Sequence, residues 1–151
     1  MTRRNRAKSS SLFLLELILA ILFFSIASAV CVQFFVKSHL LSQESRELQV
    51  SANEVSSIAE LMNASSDQQS AIDLICSEYP DSEVIGMEKV TIFYDKSFSR
   101  TGQNDAAYTL DIALSQEDFM LHAEINMKRQ TDGKVIYSLD NSHHLQRRDK
   151  S

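Results

Sequence analysis

The sequence has no tryptophan, one proline and three glycines in 151 residues. The proline is Pro80 and the first glycine is Gly86, so nothing before Pro80 forces a helix to kink or stop. Two cysteines, Cys31 and Cys76, are too few for a disulfide framework. Cys31 lies in an apolar run and Cys76 outside it, so the two are not expected to meet within one chain. Two unpaired thiols and an intermolecular disulfide are the alternatives, and the first is the simpler. There is no glycine-rich phosphate loop, no zinc-ligand spacing and no nucleophile set beside a base in a known pattern. Asp132-Gly133 has no calcium-loop spacing around it. No catalytic residue, cofactor or metal is therefore nominated, and the chain is read as a protein without enzymatic activity. Positive charge is also in deficit: 15 Lys and Arg stand against 20 Asp and Glu, a formal charge of −5. That balance argues against nucleic acid as a partner.

The cations present are unevenly placed. Arg3, Arg4, Arg6 and Lys8 make the first ten residues basic, and the remainder is correspondingly more acidic. Immediately after comes the longest apolar run, Ser11 to Val36, with one charge, Glu16. A bilayer needs about 20 apolar residues, so the run is long enough to cross one. A basic head before an apolar span predicts a cytoplasmic N-terminus, with everything after Lys37 on the far side. An ionised carboxylate in hydrocarbon costs about 2–3 kcal/mol or more, so Glu16 needs a partner or a role. A cleaved secretory signal competes with this reading, because Ala27-Ser28-Ala29 has the small-x-small pattern of a cleavage site. Against it, the run continues past Ala29 to Val36, and a charge at Glu16 is disfavoured inside a signal. A lipoprotein reading of Cys31 is weaker, since Val30 stands where a small residue belongs.

Beyond the span the helical pattern continues. Leu41, Leu48, Ala52, Val55, Ala59 and Met62 recur at steps of seven, four and three, which places them on one stripe of a helix. Gln43, Glu44, Arg46, Glu47, Asn53 and Glu60 make up the solvated set between them. The spacing predicts one helix from about Ser11 to Asn63, roughly 75–80 Å long. Its apolar stripe needs a cover, for which the C-terminal part is the natural candidate and a parallel coiled coil the alternative. Asn63 to Asp67 breaks the helix, and Ser66 with Gln69 resembles a capping box. A short helix from about Asp67 to Tyr79 follows, with Ala71, Ile72, Leu74, Ile75 and Tyr79 apolar, and Pro80 ends it.

After Pro80 the period becomes two. Strands are predicted around Val90-Ile92-Tyr94, Tyr108-Leu110-Ile112-Leu114, Phe119-Leu121-Ala123-Ile125-Met127 and Val135-Tyr137-Leu139, each with one buried and one wetter face. Ser99 to Asp105, Ser115-Gln116-Glu117 and Thr131-Asp132-Gly133 read as the connections, and Val84 to Met87 as a short edge strand. Short connections favour an antiparallel meander. The expected fold is α+β: a long N-terminal helix whose second half packs on a small antiparallel sheet of about four strands. The expected division is a basic leader at 1–11, a transmembrane helix at 12–36, its amphipathic extension at 37–63, an extracytoplasmic α+β domain at 64–140 and a frayed polar tail at 141–151. About 115 residues remain after the leader and span, enough for a small core.

Ser11-Leu12-Phe13-Leu14-Leu15-Glu16-Leu17 resembles the N-terminal segment of type IV pilins and pseudopilins. In that family a basic leader ends in Gly, an aromatic or apolar residue follows, and Glu stands fifth in the mature chain within an apolar helix. Here Leu12 takes the first mature position and Glu16 the fifth. The order of leader, unbroken helix and small sheet is also similar to the family across the whole chain. The departures are Ser11 for the family's Gly, Leu12 for its usual Phe, and no proline in the membrane half of the helix. They point to a minor component rather than a main fibre subunit.

The resemblance implies a bacterial membrane protein, cleavage between Ser11 and Leu12 by a prepilin peptidase, and methylation of the new terminus. It further implies assembly with other pilin-like subunits, in a type II secretion, competence or type IV pilus system. Glu16 would then pair with the free amine of a neighbouring subunit. On the same helical face lie Ala20, Phe23, Ala27, Cys31 and Phe34, several of them small enough to admit another helix closely. The plainer alternative is an ordinary signal anchor that carries a small binding domain and never polymerises.

The remaining polar motifs point to no site. His143-His144 falls in the polar tail, where adjacent strand positions face opposite ways and spacing supplies no third ligand. His122 reads as a surface residue. Asp111 and Glu124 are expected as cross-strand neighbours, and paired carboxylates alone do not make an acid–base site.

Overall fold

A computed structural model describes the backbone of residues 4–145 and the side chains of residues 10–145. The elements are α1 (Arg4–Asn63), α2 (Gln68–Glu78), β1 (Glu83–Ile85), β2 (Lys89–Tyr94), β3 (Tyr108–Glu117), β4 (Met120–Arg129) and β5 (Val135–His144). The chain divides into two compact units, Met1–Glu44 and Ser45–Ser151, with α1 running through the division.

In the first unit every described residue is helical. The helix begins at Arg4, so residues 4–10 of the expected basic leader are already helical. None of the β-branched, glycine or proline breakers occurs among them to oppose a helix. The unit's described residues form no core. Leu12 to Val36 are exposed throughout, Phe24 at 75% and Phe35 at 79%. Residues Ser10–Asn63 include a stretch long and apolar enough to cross a membrane.

The second unit is α1 from Ser45 onward, α2 and one sheet of five strands in the order β1-β2-β3-β4-β5, every neighbouring pair antiparallel. β1 is the edge strand foreseen around Val84. On one face, Val90, Ile112, Ile125 and Leu139 form one row across β2 to β5, and Ile92, Leu110, Met127 and Tyr137 form the next. Val55, Ile58, Ala59 and Met62 of α1, with Ala71, Ile72 and Ile75 of α2, join those rows in a single core. α1 ends at Asn63, as its pattern predicts.

Several details differ from expectation for identifiable reasons. The buried stripe of α1 is rotated. Ser51, Val55, Ile58, Ala59 and Met62 are buried, whereas Leu41 and Leu48 are exposed. The α2 cap is Asp67, one residue after Ser66. Asp67 is extended, its Oδ1 accepts the Ser70 backbone N–H at 2.7 Å, and Ser70 Oγ accepts the Asp67 N–H at 3.1 Å. A carboxylate favours this position because it also meets the positive end of the helix dipole. Gln69 instead donates to Asp73 within the helix. Leu74 is exposed on the side of α2 away from the core.

Ser115-Gln116-Glu117 belongs to β3 and is not a connection. The β3–β4 turn is Asp118-Phe119, with Asp118 at φ 51, a conformation that Asp tolerates better than most residues. Phe119 therefore lies outside the strand and is 52% exposed. β2 is buried on both faces. Lys89 and Lys128 both reach Asp111, which also accepts the Thr91 hydroxyl, and these side chains close the outer face over Thr91. Finally, β5 continues to His144, so Asn141 to His144 are strand and not frayed tail. Leu145 is buried and donates its N–H to Phe119 O at 2.7 Å. The remainder of the tail, 146–151, lies outside the described residues.

Candidate functional site

Ser11, Leu12 and Glu16 all lie within α1, and all three side chains are exposed. Leu12 and Glu16, four residues apart, share one helical face. Ala20, Phe23, Ala27, Cys31 and Phe34 continue it, every one exposed. The Ser11–Leu12 bond is inside a helix rather than at its start, so a protease acting there must meet an unwound form of that turn. Further along the run, Ser25 Oγ donates to Ile21 O at 2.8 Å. That back-bonding leaves no unpaired hydroxyl at Ser25 on an exposed, largely apolar helix face.

In the second unit the ionic chemistry serves attachment of α1. Glu54 accepts the Tyr94 hydroxyl at 2.8 Å and the Tyr79 hydroxyl at 3.3 Å through the same oxygen. Burial and the neighbouring Glu54 charge push the Tyr79 phenol up to about 12 and the Tyr94 phenol higher still. Arg100 lies over the Tyr79 ring at 4.7 Å and donates to Glu78 O at 2.6 Å. One α1 turn-pair earlier, Glu47 takes the Arg129 guanidinium and the Tyr108 hydroxyl at 2.8 Å. Arg129 also pairs with Asp132 at 2.9 Å. Phe98 stacks on Tyr108 with centroids 4.2 Å apart, which fixes the phenol below it.

These contacts were missed in the sequence, where Glu47 belongs to the solvated set. A signal was present nonetheless. Glu47, Ser51, Glu54, Ile58 and Met62 follow the same helical spacing as the buried stripe.

The other sequence candidates separate. Asp111 faces Asn126, and Glu124 faces Ala113 on one side and Asp140 on the other, so Asp111 and Glu124 are not directly opposed. Bonds from Lys128 and Thr91 lower the Asp111 carboxyl against the opposing effect of its burial, which is the largest single influence. His122 is half-buried, with Nδ1 2.8 Å from Ser142 Oγ. His143 faces Leu121 on the core side of β5, and His144 faces Met120 on the outer side. Among the described residues, no three His, Cys, Asp or Glu side chains converge as metal ligands do. Cys31 is exposed and Cys76 half-buried, both as free thiols.

The site thus defined is an exposed apolar helix bearing one carboxylate, continued into a sheet-covered segment. Comparison of the chain with protein-family models, curated proteins and solved structures finds no match.

Proposed function

We propose that this chain is a pilin-like or pseudopilin structural subunit. It inserts as a single-pass membrane protein with its N-terminus cytoplasmic, and assembles through its apolar helix into a pseudopilus of a secretion, competence or pilus system. One observation carries the reading. α1 is a single helix whose first part is apolar, exposed and marked by Glu16, while its last part is buried on an antiparallel sheet. An exposed apolar helix of this length needs lipid or other helices around it. Glu16 supplies register, because a carboxylate in that setting gains most where a cation meets it. Trimming after Ser11 by a prepilin peptidase would leave the Leu12 amine as that cation.

A second reading rests on Ser11 itself, which stands where the family's leader has Gly: a signal-anchored protein that never polymerises and uses its α+β unit to bind another extracytoplasmic protein. Mass spectrometry of the chain produced beside a prepilin peptidase separates the two. A mature terminus at Leu12 is expected. A chain that keeps Met1 to Ser11, or one that begins at Val30, overturns the pilin-like reading. Glu16→Ala is expected to abolish incorporation into assemblies while the α+β unit stays folded, and normal incorporation removes the role given to Glu16.

A further inference from the structure

The two edges of the sheet are unequal. β1 is three residues long, whereas β5 runs for ten residues and pairs only with β4. Along its far side, β5 offers a row of backbone N–H and C=O groups without a strand partner among the described residues. Exposed edges of this length are ordinarily blunted by proline, lysine, shortness or a covering element. β5 contains no proline, lysine or arginine, and its one irregularity is at its start, opposite Met127 and Lys128. From Ser138 to His144 the register against β4 is regular.

The charge beside this edge is also unbalanced. Glu124 and Asp140 are directly opposite on the outer face, both exposed. Like charges so placed repel. Glu124 accepts only a bond from Asn126, at 2.7 Å, and no cation reaches either carboxylate among the described residues. Most other acidic residues described in the unit also lack a basic partner, Asp111, Glu47 and Asp132 excepted, so what sets this pair apart is that its two carboxylates stand directly opposite each other. An open groove runs over the pair, lined also by Ala113, Ser115, His122 and Ser142.

We infer that the β5 edge is a docking site for an extended strand of another protein, added antiparallel and carrying a lysine or arginine opposite Asp140. Main-chain bonds to β5 supply affinity, and the Glu124–Asp140 pair selects the basic side chain. A second copy of this chain is the wrong occupant, because its β5 carries Asp140 and no lysine or arginine to set opposite this edge. The inference concerns the 45–151 unit alone and goes beyond the pilin-like reading, with which it neither stands nor falls.

The test uses the full chain in detergent micelles. The probe is a ten-residue peptide that alternates lysine with valine and threonine. Saturable binding by fluorescence anisotropy is expected, with alternate β5 amides gaining protection from hydrogen exchange. N-methylation of alternate peptide amides, or replacement of its lysines by glutamate, should each weaken binding about tenfold or more. Asp140→Asn combined with Glu124→Gln should weaken it by a similar factor, and these exposed positions leave the core untouched. Equal binding of the N-methylated peptide reduces the effect to charge adsorption and overturns the inference. No binding, or β5 amides protected by self-association of the free chain, overturns it as well.

Discussion

Glu54 shows how one side chain ties a helix to a sheet. Its carboxylate takes hydroxyls from Tyr79, at the end of α2, and Tyr94, at the end of β2. Both phenols are held above their ordinary value of 10.0, first by burial and then by the Glu54 charge. An acid with a raised folded-state pKa binds its proton more tightly when folded. Its contribution to stability is therefore complete below pH 10 and is lost as pH rises through the folded value. Glu54→Gln removes the charge but not the burial. Tyrosinate absorbance should show the Tyr79 midpoint falling from about 12 while staying above 10. Denaturation at neutral pH should show a loss of about 1–2 kcal/mol. An unchanged midpoint would remove Glu54 from this account. None of this was legible residue by residue. Glu54 and its two tyrosines are separated by 25 and 40 positions, and a charge in a helical pattern reads as solvated. The roles proposed for Ser11, Leu12 and Glu16 rest, by contrast, on a short local order of residues.

Along α1, periodicity revealed the element and its end but misplaced its face. Leu48 fits an apolar stripe as well as Val55 does, and hydropathy cannot register that Tyr108 and Tyr94 hydroxyls draw Glu47 and Glu54 toward the sheet. The rotation makes a contrast that can be measured. Ile58→Ala empties a fully buried position and should cost about 3 kcal/mol, whereas Leu48→Ala, at 48% exposure, should cost less than about 1 kcal/mol. Chemical denaturation of the two variants decides it, and equal losses would favour the stripe as read from sequence. The strands were found by alternation, and their ends were not. Ser115, Gln116 and Glu117 are polar because they reach the open end of β3, and the turn waits for Asp118, whose side chain suits a positive φ. β5 was read short for the same reason, since Asn141, Ser142 and the two histidines carry the strand without an apolar signature.

For the whole molecule, the decisive contrast is between a unit whose described residues form no core and a unit built around one. The described residues of Met1–Glu44 bury no large apolar side chain, and those of Ser45–Ser151 hold the entire core. The proposed insertion of the apolar helix predicts an integral membrane protein. The chain should stay in the membrane pellet after alkaline carbonate extraction and leave it only with detergent, and release by carbonate alone would contradict this. The apolar span, the uninterrupted helix through Asn63, the change to strand period after Pro80 and the α+β class are all readable in the chain before it folds. Each of these is carried by neighbouring residues through side-chain period, length and the absence of breakers. Tertiary packing alone selects the buried face of α1, brings Glu47 and Glu54 onto the sheet, and leaves the ten-residue β5 without a second strand partner among the described residues. Those outcomes depend on groups far apart in the chain, whose meeting is set by strand register and by the cost of burying a phenol or a carboxylate without a partner.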